Sequence, residues 1–273
     1  MAPLRLTRLN VYPIKSAGAI SADDWEVDDF GLRYDRRWMV VDQAGALLTQ
    51  RTHPRLALVR PAVRDTGLGV DAPGMDPLEL SLQPSHGANT RVTVWNDTCT
   101  AVWLGERAAR WFSRFLNCDC RLVYMPDETV RPADPTFAPS GVRVSFADAF
   151  PFLLISEESL AELNTRLPAP LPMNRFRPNL VIAGGPPHVE DTLDSFLLGG
   201  IGFRVVKPCA RCVLTTTDQA TAERGAEPLR TLATYRKRDG KVFFGQNVVH
   251  LGRGWLRVGE TLVPDIEAVA TPR

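Results

Sequence analysis

The chain lacks any apolar run long enough to cross a bilayer; its longest apolar stretches, such as residues 150–155, suit core strands instead. Arg5 and Arg8 near the N-terminus are not followed by an apolar segment with a small-residue cleavage site, so no secretory leader is expected. An excess of one charge is missing too. Against 32 Lys and Arg stand 31 Asp and Glu, for a formal net charge of +1. That balance excludes the strongly basic surface of a general nucleic-acid binder. With 44% apolar residues it also excludes a disordered chain. Histidine is scarce: His53, His86, His188 and His250 share no metal-ligand spacing. No G-x-S-x-G elbow marks a hydrolase. Neither a P-loop nor a G-x-G-x-x-G loop occurs, and Gly184-Gly185-Pro186-Pro187 reads as a turn. Internal repeats and low-complexity tracts are absent. The five cysteines form an odd set, two of them in Cys209-Ala210-Arg211-Cys212. Such a set reads as an intracellular protein using thiols for metal or redox chemistry, so a cytoplasmic protein without a membrane partner is expected.

What is present is a chain of 273 residues. At this size roughly 73% of the unfolded surface can be buried without disulfide staples. One large domain or two intimate ones both fit. Most segments are short, β-branched and bounded by Gly or Pro. Residues 4–11, 37–42, 56–63 and 91–94 read as strands, with a turn at 43–45 and a further strand from Ala46. Residues 105–117 place Ala108, Ala109, Trp111, Phe112, Phe115 and Leu116 on one broad helical face. Residues 156–167 open with Ser156 as N-cap and Glu157 and Glu158 in the first turn, and Pro168 stops the helix. Residues 229–236 form a third, shorter helix. The proline-rich stretch 126–139 is the natural seam between an N-terminal β unit and a C-terminal α+β unit. The fold class is α+β and β-rich.

Four clusters could carry chemistry. Val205–Asp218 holds the C-x-x-C pair after a strand, flanked by Lys207 and Arg211, whose charges favour thiolate. The pair reads either as soft-metal ligands or as two small buried apolar side chains. A zinc site would need Cys118 and Cys120 as well, and C-x-C is not the usual knuckle spacing. Lys15-Ser16 before Gly18 offers an ammonium, a hydroxyl and free backbone N–H groups that suit a phosphate. Asp35-Arg36-Arg37-Trp38 with Arg51, and Asn174–Asn179 with Arg175 and Arg177, pair guanidinium groups with amide and carboxylate partners. Taken singly, each of these could be an ordinary exposed lysine or surface salt bridge.

Together the clusters resemble one family. YPIKS (12–16), YDRRWMVVD (34–42), RTHPRL (51–56), DAFPFLLIS (148–156), RFRPNLVI (175–182), PCARCVLTTTD (208–218), PLRTLATYR (228–236) and FFGQN (243–247) occur in this order. The pattern is similar to proteins that join an N-terminal β-barrel domain to a MOSC domain, named after the C-terminal domain of molybdenum cofactor sulfurase. It most resembles the mitochondrial amidoxime-reducing components and bacterial YcbX-type proteins. The resemblance implies an N-terminal MOSC-associated β-barrel domain over residues 1–122, packed on a MOSC barrel core with covering helices over residues 123–273.

It also implies a molybdenum–molybdopterin cofactor in a cleft between the domains. Cys212 would be the thiolate ligand to the metal, with Cys209 a neighbour. Lys15, Ser16 and Arg36 would bind the phosphate region, with Arg51 in the same cationic set, and Arg177 and Asn179 would hold the pterin. Asp148, Thr215 and Thr216, with Thr217, would line the metal side, Asp148 facing substrate. The implied activity is reduction of N-hydroxylated compounds such as hydroxylamines and amidoximes. YcbX-type proteins carry a C-terminal ferredoxin-like iron–sulfur domain, but no cysteine follows Cys212 here to hold a cluster. A separate ferredoxin- or cytochrome b5-like donor with its reductase is therefore the expected partner. The mitochondrial TTVDP motif reads Thr215-Thr216-Thr217-Asp218-Gln219, a change expected to bear on substrate preference. The alternative is a cofactor carrier, or a module relaying sulfur as a cysteine persulfide, without turnover of its own.

Overall fold

A computed structural model describes residues 3–84 and 87–264; His86 lies outside the described residues. The first strands in chain order are β1 (Arg5–Val11), β2 (Ile20–Ala22), β3 (Asp24–Asp28), β4 (Gly31–Leu32) and β5 (Trp38–Val41). Next come β6 (Arg60–Arg64), β7 (Gly67–Asp71), β8 (Leu78–Leu80), β9 (Asn89–Val94), β10 (Asp97–Trp103) and β11 (Arg121–Tyr124). The later part adds β12 (Phe152–Ser156), β13 (Leu180–Ala183), β14 (Ser195–Leu198) and β15 (Ile201–Arg211). It closes with β16 (Lys237–Arg238), β17 (Lys241–His250), β18 (Gly254–Arg257) and β19 (Val263–Pro264). Helices α1 (Gly105–Leu116), α2 (Glu157–Arg166) and α3 (Leu229–Leu232) cover them. The architecture is the β-rich α+β expected.

The largest sheet runs β19-β14-β15-β17-β12-β13-β1-β2, with β16 on β17. β12 and β13 pair in parallel, which requires a crossover, and α2 supplies it. Ser156 Oγ caps α2 by accepting the Ser159 N–H at 3.1 Å. Both faces of this sheet are buried, and the two-residue period sorts them. Phe152, Leu154, Leu180 and Ile182 join one core, while Leu153, Ile155 and Val181 join another. The second sheet, β5-β11-β10-β9, is sorted the same way. Trp38, Val40 and Leu122 face the core that holds Trp111, Phe112 and Phe115 of α1, whereas Met39, Val41 and Val123 face Phe146. Truncating a buried ring such as Phe112 to Ala removes about 3–5 kcal/mol.

Hydrogen bonding crosses the chain's midpoint. β1 pairs antiparallel with β13, and β3 pairs with β18, so the first strands complete sheets of the second half.

Three local expectations are corrected. Residues 56–63 are not one strand: a 3-10 turn spans Pro54–Leu58 before β6 begins. Proline at the first position presets the helical φ, and Leu56 and Ala57 gain core burial from the turn. The strand from Ala46 reduces to isolated bridges, Val41 to Leu47 and Ala46 to Thr93. The third helix stops at Leu232, and turns carry the chain on to Arg236.

Candidate functional site

A cleft open to solvent gathers residues distant in sequence. Lys15 and Ser16 sit in the turn after β1, where the Lys15 N–H donates to Trp38 O at 2.7 Å. Arg36 occupies the turn entering β5. Arg177 follows a 3-10 turn over Met173–Arg175. Ser16, Arg36 and Arg177 all adopt left-handed backbone, with φ of 69°, 50° and 58°. For non-glycine residues this costs of order 1–3 kcal/mol each, strain that gathers at sites where side-chain direction matters.

The cleft floor is cationic. Arg36 forms a buried ion pair with Asp35 and donates to Asn179 Oδ1 at 2.8 Å. Asp35 Oδ1 in turn accepts from the Tyr12 N–H at 2.8 Å and from Asn179 Nδ2 at 3.1 Å. The guanidinium groups of Arg36 and Arg177 stack on the Tyr12 ring at 4.5 and 4.2 Å. Burial of that ring pushes the Tyr12 hydroxyl up to about 12 despite both cations. Arg177 is 7% exposed. Its guanidinium donates to Ala17 O and meets no carboxylate within salt-bridge distance among the described residues. Burial brings it down to about 10. A buried cation without a counter-ion is costly, and an anionic ligand would relieve that cost.

Lys15 and Asp148 mark the mouth. Lys15 Nζ donates to Phe146 O at 2.7 Å and to Asp148 Oδ1 at 2.6 Å. Burial lowers Lys15 to about 8, with Asp148 opposing. Removal from water works against ionisation of Asp148. Its side chain is nevertheless 60% exposed, and Lys15, Arg51 and the Trp95 indole hold it well below the usual carboxylate range. Trp95 donates from Nε1 to Asp148 at 3.1 Å, and Arg51 stacks on its ring at 4.2 Å.

The thiols close the other end. Cys209 lies within β15, and Cys212 follows the strand as N-cap of a 3-10 turn over Val213–Thr216. Arg211 Nη1 donates to Cys209 Sγ at 3.0 Å and Nη2 to Phe176 O at 2.7 Å. Arg211 Nε is buried without a partner. Arg175 pins the loop beyond Cys212 through Thr216 O at 3.0 Å and Asp218 at 2.7 Å.

Lys15, Ser16, Arg36, Arg51, Asp148, Arg177, Asn179, Cys212 and Thr215 thus line one cleft. Thr216 does not: it is buried, and its hydroxyl donates to Val213 O at 2.8 Å. Cys209 lines the cleft beside Cys212. The four-cysteine zinc arrangement is not formed, and among the described residues no group of three or more His, Cys, Asp or Glu is placed to hold a metal. Sequence reasoning missed Thr49, Leu153 and Phe150 as lining residues, and Asp35 as the anchor of the floor. Only Asp35 carried a signal, its place beside Arg36 and Arg37.

Five cations but a single carboxylate, Asp148, line the cleft. The fold and site therefore define a β-rich protein whose cleft is cationic along its floor and edged by thiol sulfur at one end. Comparison with known proteins agrees. Residues 3–119 match the MOSC N-terminal beta barrel domain and residues 141–263 match the MOSC domain. The mitochondrial amidoxime reducing component 2 of Rattus norvegicus is 36% identical, over 93% of this chain and 81% of that protein. Component 1 of Homo sapiens is 34% identical with the same coverage. The molybdenum cofactor sulfurase of Solanum lycopersicum is 32% identical over 95% of this chain but only 36% of its own length. The chain belongs to the family of MOSC-domain proteins with an N-terminal β-barrel domain that includes the amidoxime-reducing components.

That family points to association with the molybdenum cofactor. The residues fit such a group: Arg177 is a buried cation with no carboxylate within salt-bridge distance among the described residues, Arg211 Nε is buried without a partner, and two cysteine sulfurs edge the same space. Thiolate has the softness such a metal takes, and guanidinium groups complement phosphate.

Proposed function

We propose that the protein is a molybdenum-cofactor oxidoreductase that reduces N-hydroxylated compounds, hydroxylamines and amidoximes, with electrons from a separate donor protein. The observation that carries this reading is the union, in one cleft, of Cys212 with a floor of buried cations. Cys212 would supply the thiolate ligand. Lys15, Ser16 and Arg36 would hold the phosphate end, and Arg177 and Asn179 the pterin. When bound, the cofactor supplies the two-electron, oxygen-accepting chemistry that turns N–OH into N–H. The chain's own part is orientation and charge. The Asp35–Arg36–Asn179 network fixes the floor, and the Tyr12 ring holds two guanidinium groups against it and partly dry. Asp148, ionised and flanked by Arg51 and Lys15, offers an acceptor to a substrate N–OH or N–H at the exposed mouth. The donor would be a cytochrome b5- or ferredoxin-like protein with its reductase, as the kinship with amidoxime-reducing components suggests.

The test is molybdenum content by elemental mass spectrometry on protein from a cofactor-competent host, followed by turnover of an amidoxime with an artificial reductant. Near-stoichiometric molybdenum with turnover supports the reading, and zinc or no metal overturns it. The match to a cofactor sulfurase favours a second reading, a carrier or persulfide relay. It predicts bound cofactor or a reducible sulfur adduct on Cys209 or Cys212, with no turnover.

A further inference from the structure

Cys118 and Cys120 lie outside the cleft and take no part in the proposed reaction. They hang from the C-terminal end of α1, where Asn117 turns the chain with φ of 54°. The Cys118 N–H donates to Ser113 O at 3.2 Å. Ser113 Oγ accepts the Cys120 N–H at 3.0 Å and lies 3.6 Å from its sulfur. The short turn is therefore fixed from both ends by one serine.

His53 approaches from the segment before the 3-10 turn, and its Nε2 lies 3.6 Å from Cys118 Sγ. Thr52 Oγ1 lies 2.9 Å from His53 Nδ1 and holds the ring's orientation. In the tautomer with the ring hydrogen on Nδ1, the Nε2 lone pair faces the thiol. This is the base–nucleophile arrangement that activates a cysteine, with Thr52 orienting the ring. Cys118 is half-buried and reachable, whereas Cys120 is buried. Burial, with its neighbour Cys118 adding, pushes the Cys120 thiol up to about 11. Two residues apart, the Cα atoms are at most about 7 Å from each other, a separation that disulfide geometry reaches.

We propose that Cys118 and Cys120 form a peroxide-reactive dithiol, with His53 as base, Cys118 as the attacking sulfur and Cys120 as the resolving one. His53 Nε2 takes the Cys118 proton, and the thiolate attacks one oxygen of a hydroperoxide. The O–O bond breaks, and the departing oxygen takes the proton back from His53, leaving as water when the oxidant is hydrogen peroxide. Cys118 is then a sulfenic acid. The Cys120 sulfur displaces that hydroxyl, which leaves as water with the Cys120 proton, and the S–S bond forms. Two thiols lose two electrons, and one hydrogen peroxide becomes two waters. A dithiol reductant reverses the bond.

The test treats the full chain with a small excess of hydrogen peroxide, then quenches, alkylates and digests it with trypsin. The tryptic peptide Phe115–Arg121 carries both sulfurs. It should appear unalkylated and about 2 Da lighter, the mass of the hydrogens lost, before Cys99, Cys209 or Cys212 is modified. His53→Gln should slow this step by roughly tenfold or more. Cys120→Ser should instead accumulate a dimedone adduct on Cys118. If the peptide keeps two alkylatable thiols while other cysteines oxidise, the assignment is wrong. A His53→Gln chain that melts like wild type and oxidises at the wild-type rate would remove the histidine from it. The wild-type map reads the outcome even where a variant folds poorly.

Discussion

Cys209 and Cys212 end a strand, whereas Cys118 and Cys120 hang from a helix. The first pair sits in a cleft lined by five cations, with Arg211 donating to Cys209. The second pair faces an imidazole and a serine. Both are cysteines a few positions apart, yet a cationic cleft suits a sulfur that binds, whereas an adjacent base suits a thiol that gives up its proton as it reacts. The lesson is that neighbours from other parts of the chain decide a cysteine pair's chemistry more than its spacing does.

The contrast is broken most sharply by removing one sulfur from each pair. Cys212→Ala should lower both retained molybdenum and amidoxime turnover by roughly a hundredfold, whereas Cys118→Ser should leave both near wild type. Elemental analysis and turnover on the same preparations decide it, and equal losses would erase the distinction.

Next in size is the support beneath each pair. Arg36→Met leaves the buried Asp35 carboxylate without its counter-charge, at a cost of about 3–5 kcal/mol in denaturant unfolding. His53→Gln, at a half-buried site with no buried ion pair, should cost under about 1 kcal/mol.

Lys15 gives the cleft a pH signature opposite in sign to the one that Cys120, raised to about 11, gives the distal pair. Its folded value of about 8 lies below the ordinary 10.5, so the unfolded chain holds more protons between those limits. Unfolding free energy measured against Lys15→Met should therefore rise with pH from about 8 to 10.5, by about 3 kcal/mol at most. A fall across that window would reverse the assignment.

The smallest effect is expected from Trp95→Gly. The indole is 39% exposed, and glycine relieves the φ of 57° at this position. Stability should change by less than about 1 kcal/mol. Iodoacetamide should then reach Cys212 faster while Cys118 reacts as before, which peptide mapping can follow.

Much of this molecule can be read from local pattern. The apolar face of α1, the Ser156 cap of α2 and the β-branched run of β5 follow from periodicity and capping, which depend on neighbours in sequence. Lys15, Arg36, Arg177, Asn179 and Cys212 drew attention as clusters, and their shared cleft came from kinship rather than from spacing. Other features depend on distant partners and left no local trace. Pro54 converts the start of a strand-like run into a 3-10 turn because Leu56 and Ala57 can then be buried. Thr216 lies beside Thr215 in sequence, yet the 3-10 turn sends its hydroxyl back to Val213 and away from the cleft. The Thr52–His53–Cys118 relay joins residues 65 apart, beyond the reach of any motif.

The pairing of β1 with β13 also sets an order of events during synthesis. The ribosome releases residues 5–11 about 170 residues before their hydrogen-bonding partners at 180–183 exist. At ordinary elongation rates that gap lasts roughly ten to thirty-five seconds. Through that interval an apolar strand, with Leu6, Leu9 and Val11 destined for the core, has one edge with no strand to pair against. A nascent chain of this design needs that edge shielded, by a chaperone or by temporary contacts, until the second half arrives. Slowing translation ahead of residue 180, when both β1 and β3 wait for partners, should therefore raise the aggregated fraction more than slowing it after residue 183, when only β3 still waits for β18.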